Sequence, residues 1–156
     1  MSEVYLGNPN LKKANTAIEF SQEEILEFMR CKEDPVYFAN NYIKIVSLDE
    51  GLTQFHPYHF QEKLINNFHE NRFNICKMPR QTGKSTTVVS YLLHYAVFND
   101  SVNIGILANK AATARELLGR LQTAYENLPK WMQQGIIAWN KGSLELENGS
   151  KILAAS

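Results

Sequence analysis

The stretch Met78-Pro79-Arg80-Gln81-Thr82-Gly83-Lys84-Ser85 closes in Gly-Lys-Ser, as the phosphate-loop pattern G-x-x-x-x-G-K-[ST] does. The chemistry of each position is specific. Gly83 lets the backbone approach an anion with no side chain in the way. Successive backbone N–H groups can then point inward at a phosphate. Lys84 brings a cation to the β- and γ-phosphates, and Ser85 offers a hydroxyl to Mg²⁺. Met78 stands where the pattern has its first glycine, which implies a less sharply curled entry and leaves Arg80 within the loop.

The flanks read as strand and helix. Arg72 to Lys77 is short and β-compatible. Beyond the loop, Val88, Tyr91, Leu92 and Tyr95 recur at helical spacing through Phe98. A helix beginning at Lys84 would add its positive end to the anion site.

The chain has 156 residues, enough for one domain with a real core. Its 44% apolar content excludes a disordered chain. Sixteen basic residues balance sixteen acidic ones, so no global charge drives nucleic-acid binding, although a local patch can. No apolar run is long enough to span a bilayer, and no membrane partner is expected. Glu3 and the lack of a basic flank exclude a secretory signal. Cys31 and Cys76 form no C-x-x-C, and Cys76, in an apolar run, reads as a buried free thiol.

Residues 1–20 have weak periodicity and read as an arm. Ser21 with Glu24 forms a capping box for a helix to about Cys31. Asp34-Pro35 starts a second, short helix. Lys44 to Leu48 reads as a strand closed by the turn Asp49-Glu50-Gly51. Pro57 opens a helix to about Asn67, with Phe60, Leu64, Ile65 and Phe68 on one side. Val102 to Ala108 reads as a buried strand, Ala111 to about Leu128 as a long helix ended by Pro129, and Ile136 to Trp139 as a strand. Leu144–Leu146 and Lys151–Leu153 flank Asn148-Gly149, a strong hairpin signal. The alternation predicts an α/β fold with a mainly parallel sheet flanked by helices, plus a β-hairpin insertion, and with the phosphate loop this reads as a P-loop NTPase.

Two further features bear on the ligand. Phe60 and Gln61 precede the loop. An aromatic face stacks on adenine and a glutamine amide both donates and accepts, or the pair is a core ring with a solvated amide. Asn109 and Lys110 end the strand after the loop helix, where ligands of α/β sheets bind. They meet phosphate or nucleic acid there, or else cap a helix and face water.

In this order, Phe60-Gln61, Arg80 to Ser85, Gly105 to Lys110 and Trp139 to Ser150 resemble the large terminase subunit of tailed bacteriophages, of the myovirus type. Phe60 and Gln61 look like its adenine-binding motif. Its variant phosphate loop also lacks the first glycine and carries the arginine found here as Arg80. The arm Leu6 to Lys12 is similar as well. The resemblance implies an ATPase that drives double-stranded DNA into a procapsid. ATP and Mg²⁺ are its cofactors, and double-stranded viral DNA, a portal protein and a small terminase subunit are its partners. It also implies a ring of subunits on the portal in the host cytoplasm, and a nuclease domain in complete members.

By that resemblance the catalytic residues are Lys84 and Arg80. The nucleotide contacts are Phe60, Gln61, Arg80, Gln81, Thr82, Gly83, Lys84, Ser85 and Thr86, with Ser85 on the metal. Arg80 would act in cis as an arginine finger or γ-phosphate sensor, or else is a surface arginine of the loop that faces DNA or a neighbouring subunit. An acidic pair should follow a hydrophobic strand. The only such run, Ile45 to Glu50, precedes the loop and reads as a strand-ending turn. His56 and His59 lack a carboxylate cluster and predict no metal site. The chain is therefore expected to be an N-terminal fragment: an arm over 1–20 and a partial ATPase domain over 21–156, without the acidic (Walker B) strand or the nuclease. Two rivals share these features: a fragment of a superfamily-2-type helicase or translocase, and a nucleotide-binding remnant that hydrolyses nothing.

Overall fold

A computed structural model describes residues 3–156; the first two residues of the expected arm lie outside it. Helices α1 (Gln22–Glu33) and α2 (Pro35–Tyr42) begin where the capping signals place them. Ser21 Oγ accepts from the N–H of Glu24, and the Glu24 carboxylate accepts from the N–H of Ser21. Asp34 takes the N–H groups of Val36 and Tyr37, which Pro35 at the first helical position leaves as the donors to satisfy.

Strands β1 (Lys44–Ser47) and β2 (Gly51–Gln54) form a two-stranded antiparallel hairpin around the Asp49-Glu50 turn. Sequence reading placed β1 and the turn but not β2. Helix α3 (His59–Glu70) follows, then the loop, then α4 (Lys84–Phe98), β3 (Asn103–Leu107), α5 (Ala111–Glu126) and the strands β4 (Ile136–Trp139), β5 (Ser143–Leu146) and β6 (Lys151–Ala155).

The main sheet is four-stranded with the order β3-β6-β5-β4. Only β3 and β6 run parallel; β4–β5 and β5–β6 are antiparallel. The fold is mixed α/β, and among the described residues the mainly parallel sheet expected from the sequence is not what forms. The cause lies in the connections. Short turns between β4, β5 and β6 permit only antiparallel neighbours, whereas the long passage through α5 allows β3 and β6 to align. The β5–β6 turn is the Asn148-Gly149 hairpin, with Gly149 at φ +83°.

The segment before the loop is a second correction. Arg72 to Lys77 pairs with no strand among the described residues. Phe73 is 83% and Ile75 fully exposed, and Cys76 is exposed rather than buried. β-compatible side chains do not supply a ladder, and a strand exists only with a partner. Cys31, by contrast, is fully buried, and that burial with the carboxylate of Glu27 pushes its thiol up to about 12.

Helix α5 packs against β3 and β6 through Ala114, Leu118 and Leu121, opposite Ile104, Ile106 and Ile152. The other face of β3 and β6, with Gly105, Leu107 and Leu153, is open to solvent. Strand β3 is thus half-buried, not fully buried as read from its apolar run. Helix α4 buries Val89, Leu93, Ala96 and Val97. The stripe Val88, Tyr91, Leu92 and Tyr95 chosen from the sequence is the partly exposed one. A helix apolar on nearly all sides offers periodicity in more than one direction.

The arm is pinned. Lys13 bridges Ile136 in parallel, the Ala14 N–H donates to Ile136 O, and the Ile136 N–H donates to Lys12 O. The arm therefore covers the β4 edge, which would otherwise be an open template. Glu147 locks it from below, accepting from the N–H groups of Asn15 and Gly135, both at 2.8 Å, and facing Lys12 Nζ at 3.5 Å.

Candidate functional site

The loop from Met78 to Gly83 connects an unpaired segment to the start of α4. Gly83 takes the N-cap position in the left-handed region, φ +72°, and Gln81 also lies there, φ +60°. Alternating the hand of the backbone in this way turns successive N–H groups to one side, the geometry of an anion nest. The helix begins at Lys84, so the N–H groups of Lys84, Ser85 and Thr86 have no partner one turn back and are available to an anion. The Thr87 N–H and Oγ1 both reach the Gly83 carbonyl, at 2.9 Å each, and the turn is thereby closed.

The side chains follow. Lys84 Nζ donates to the Met78 carbonyl at 3.0 Å across the base of the loop, and Thr82 Oγ1 donates to Pro79 O at 3.0 Å. Arg80 and Gln81 are exposed at the loop tip. Ser85 is half-buried on the first turn of α4.

Gln61 is not a solvated amide. It is 3% exposed, and both ends of its side chain bind backbone. Oε1 accepts from the Tyr58 N–H at 2.8 Å, and Nε2 donates to the Thr82 carbonyl at 3.2 Å. It thereby ties the start of α3 to the phosphate loop. Phe60, next to it, is 46% exposed rather than core. With Lys63, Leu64 and Asn67 it forms one wall of a cleft of about 400 Å³, whose opposite wall is Met78, Pro79 and Thr82. Residues 60, 63, 64 and 67 share one helix face, which is how α3 aims the ring at the loop.

Two larger clefts are less suited to a nucleotide. One, of about 690 Å³, lies between β1, α4 and α5, with Ile45, Val46, Leu48 and Val89 among its walls. Its lining takes Thr86 from the first turn of α4 and no residue of the loop from Met78 to Gly83. The other, about 720 Å³, runs between α4, β3 and residues 71–76 and touches no residue of the phosphate loop.

Asn109 and Lys110 are exposed beyond the C-terminal end of β3. Lys110 is the N-cap of α5, and no side chain caps that helix. Asp49 and Glu50 sit exposed in the β1–β2 turn. His59 lies 3.7 Å from Glu62. Among the described residues no three His, Cys, Asp or Glu side chains gather as metal ligands. No helix there is long and apolar enough to cross a membrane.

What the sequence did not reveal is the contact between Gln61 and the loop. Its signal is present: an amide three residues after a helix start, ahead of a glycine-ended loop. Gly83 is the matching half. A Cβ built on it would lie 2.4 Å from Gln61 Nε2, so a side chain there would displace the amide.

Residues 75–156, just over half of the chain, match the family described as terminase large subunit, T4likevirus-type, N-terminal. The match takes in the phosphate loop, α4, α5 and the whole four-stranded sheet, while Phe60 and Gln61 lie ahead of it. The chain therefore belongs to the family of T4-like terminase large-subunit N-terminal domains.

Proposed function

We propose that this chain is the nucleotide-binding part of an ATP-driven motor that moves double-stranded viral DNA into a procapsid. It is read as a P-loop NTPase unit over residues 21–156 with an arm over 1–20. The observation that carries the reading is the start of α4 at Lys84 behind a left-handed Gly83. The donor set there fits a nucleoside triphosphate with Mg²⁺, the group that supplies the free energy of phosphoryl transfer when bound.

The residues divide the work. Backbone N–H groups of Thr82 to Thr86 cradle the phosphates. Lys84, which in the free chain donates to the Met78 carbonyl, would neutralise the β- and γ-oxygens. The Ser85 hydroxyl would hold Mg²⁺. Arg80 and Gln81 reach the γ-phosphate from the loop tip, with Arg80 stabilising charge that develops on transfer. Phe60 stacks on the adenine in the cleft, and Gln61 holds the base wall and the phosphate loop at a fixed spacing. The partners on this reading are DNA, a portal protein, a small terminase subunit and further copies in a ring on the portal. The setting is the host cytoplasm, and the whole large subunit adds a nuclease.

The test is calorimetric titration of the chain with ATP in Mg²⁺. Binding is expected, lost in Lys84→Ala without loss of helical content by circular dichroism. Equal affinity in wild type and Lys84→Ala contradicts the assignment.

A further inference from the structure

We propose that Tyr58 is a positioning residue for the base, restraining the Phe60 ring from outside the cleft. The inference rests on the nucleotide reading above and adds to it a residue outside the loop and its motifs.

Tyr58 precedes α3 and is 70% exposed, so its ring does little for the core. It is nonetheless ordered against one neighbour. The Tyr58 and Phe60 rings are 5.9 Å apart between centroids and only 12° from parallel, an offset stack. Phe60 lines the cleft between α3 and the loop and Tyr58 does not. The pair is therefore arranged with the Phe60 ring in the cleft wall and the Tyr58 ring beside it, outside the cleft.

The Tyr58 backbone is fixed as well. Its N–H donates to Gln61 Oε1, and its carbonyl accepts from the N–H groups of Gln61 and Glu62. Since Gln61 Nε2 reaches Thr82, the aromatic pair is tied to the loop that takes the phosphates. A half-exposed Phe60 alone on the first turn of a helix would sample several rotamers. Tyr58 removes that freedom before the ligand arrives, leaving one ring face turned to the cleft. A planar base on that face stacks on a Phe60 ring whose rotamer Tyr58 holds from the side.

The test compares two ligands, ATP and tripolyphosphate, both with Mg²⁺, by calorimetry on the full chain. Tripolyphosphate has the charges but no base. Tyr58→Ala is expected to weaken ATP about three- to tenfold, the worth of one aromatic pair, and to leave tripolyphosphate unchanged. Tyr58→Phe should bind both as wild type does. Tyr58→Leu keeps apolar bulk without a ring and should behave as Tyr58→Ala. Four results would overturn the proposal. Wild-type ATP affinity in Tyr58→Ala, with Phe60→Ala impaired, removes Tyr58 but keeps the base site. Equal losses for ATP and tripolyphosphate would mean that Tyr58 acts on the loop's fold. ATP binding unchanged in Phe60→Ala, or no binding of either ligand by wild type, removes the base site and Tyr58 with it.

Discussion

Gln61 and Thr82, 21 residues apart in sequence, are joined by a hydrogen bond of 3.2 Å from the glutamine Nε2 to the threonine carbonyl. The same amide accepts from the Tyr58 N–H through Oε1. One buried side chain thus sets the distance between the wall that would hold a base and the loop that would hold the phosphates.

Replacing Gln61 by alanine leaves the Tyr58 N–H and the Thr82 carbonyl without this partner. The expected loss is about 1–3 kcal/mol of stability, read as a drop in thermal midpoint. Affinity for tripolyphosphate should fall with it, because the loop loses its tether. A Gln61→Ala chain with wild-type melting and wild-type tripolyphosphate binding would show that the tether is idle.

Gly83→Ala is predicted to damage the same contact from the other side. The new methyl meets Gln61 Nε2 at 2.4 Å, and the left-handed backbone at φ +72° disfavours any side chain. Residues in contact couple by about 0.5–3 kcal/mol. The double variant Gly83→Ala/Gln61→Ala should therefore lose less than the two single losses added. Strict additivity in denaturant melts would mean that the two residues act separately.

Glu147 holds the arm, and its removal should free it. Burial works to raise this carboxyl, but the N–H groups of Asn15 and Gly135, with Lys12, outweigh burial and hold it below the usual range. Hydrogen bonds to a charged group are worth about 1.5–3 kcal/mol. Glu147→Ala should cost at least that. It should also speed hydrogen exchange at Ala14 and Ile136, the amides that join the arm to β4. Unchanged exchange at those two amides would contradict the arm's dependence on Glu147.

The elements legible in the sequence were those with local causes. The Ser21 and Asp34 caps, the Gly83-Lys84 helix start and the Asn148-Gly149 hairpin each rest on a few neighbouring residues, and each forms where read. The elements that depend on distant partners were not legible. The parallel pairing of β3 with β6 aligns Ile104 with Ile152, which no local pattern encodes. Arg72 to Lys77 has strand-like composition and no ladder. In the site, Phe60 and Gln61 were legible as residue types. That Gln61 spends both ends on backbone follows only from how α3 packs beside the loop.

His94 makes stability depend on pH. It is buried among Phe38, Phe98 and Tyr91, with Nε2 at 2.8 Å from Cys31 O, and Nδ1 has no hydrogen-bond partner among the described residues. Burial pulls it down to about 4 from 6.5, with His69 adding to the shift. The unfolded chain therefore binds the proton first as pH falls. The stability due to neutral His94 is complete above about 6.5 and is lost as pH drops towards 4, by about 3 kcal/mol at most. Glu147 adds its own loss only at lower pH, as its carboxyl protonates. Thermal midpoints from pH 7 to 4 should decline in wild type and flatten in His94→Leu over the upper part of that window. An identical slope in both would remove His94 as the cause.

On the proposed reading, α3 and the phosphate loop form one nucleotide site. The most direct measurement is a ¹H–¹⁵N NMR titration of the chain with ATP in Mg²⁺. The largest amide shifts are expected at Thr82 to Thr86, with a second group at Tyr58 to Lys63. Tripolyphosphate should reproduce the first group and not the second. Shifts centred instead on Val46, Gly119 and Arg120, in the cleft between β1 and α5, would contradict it.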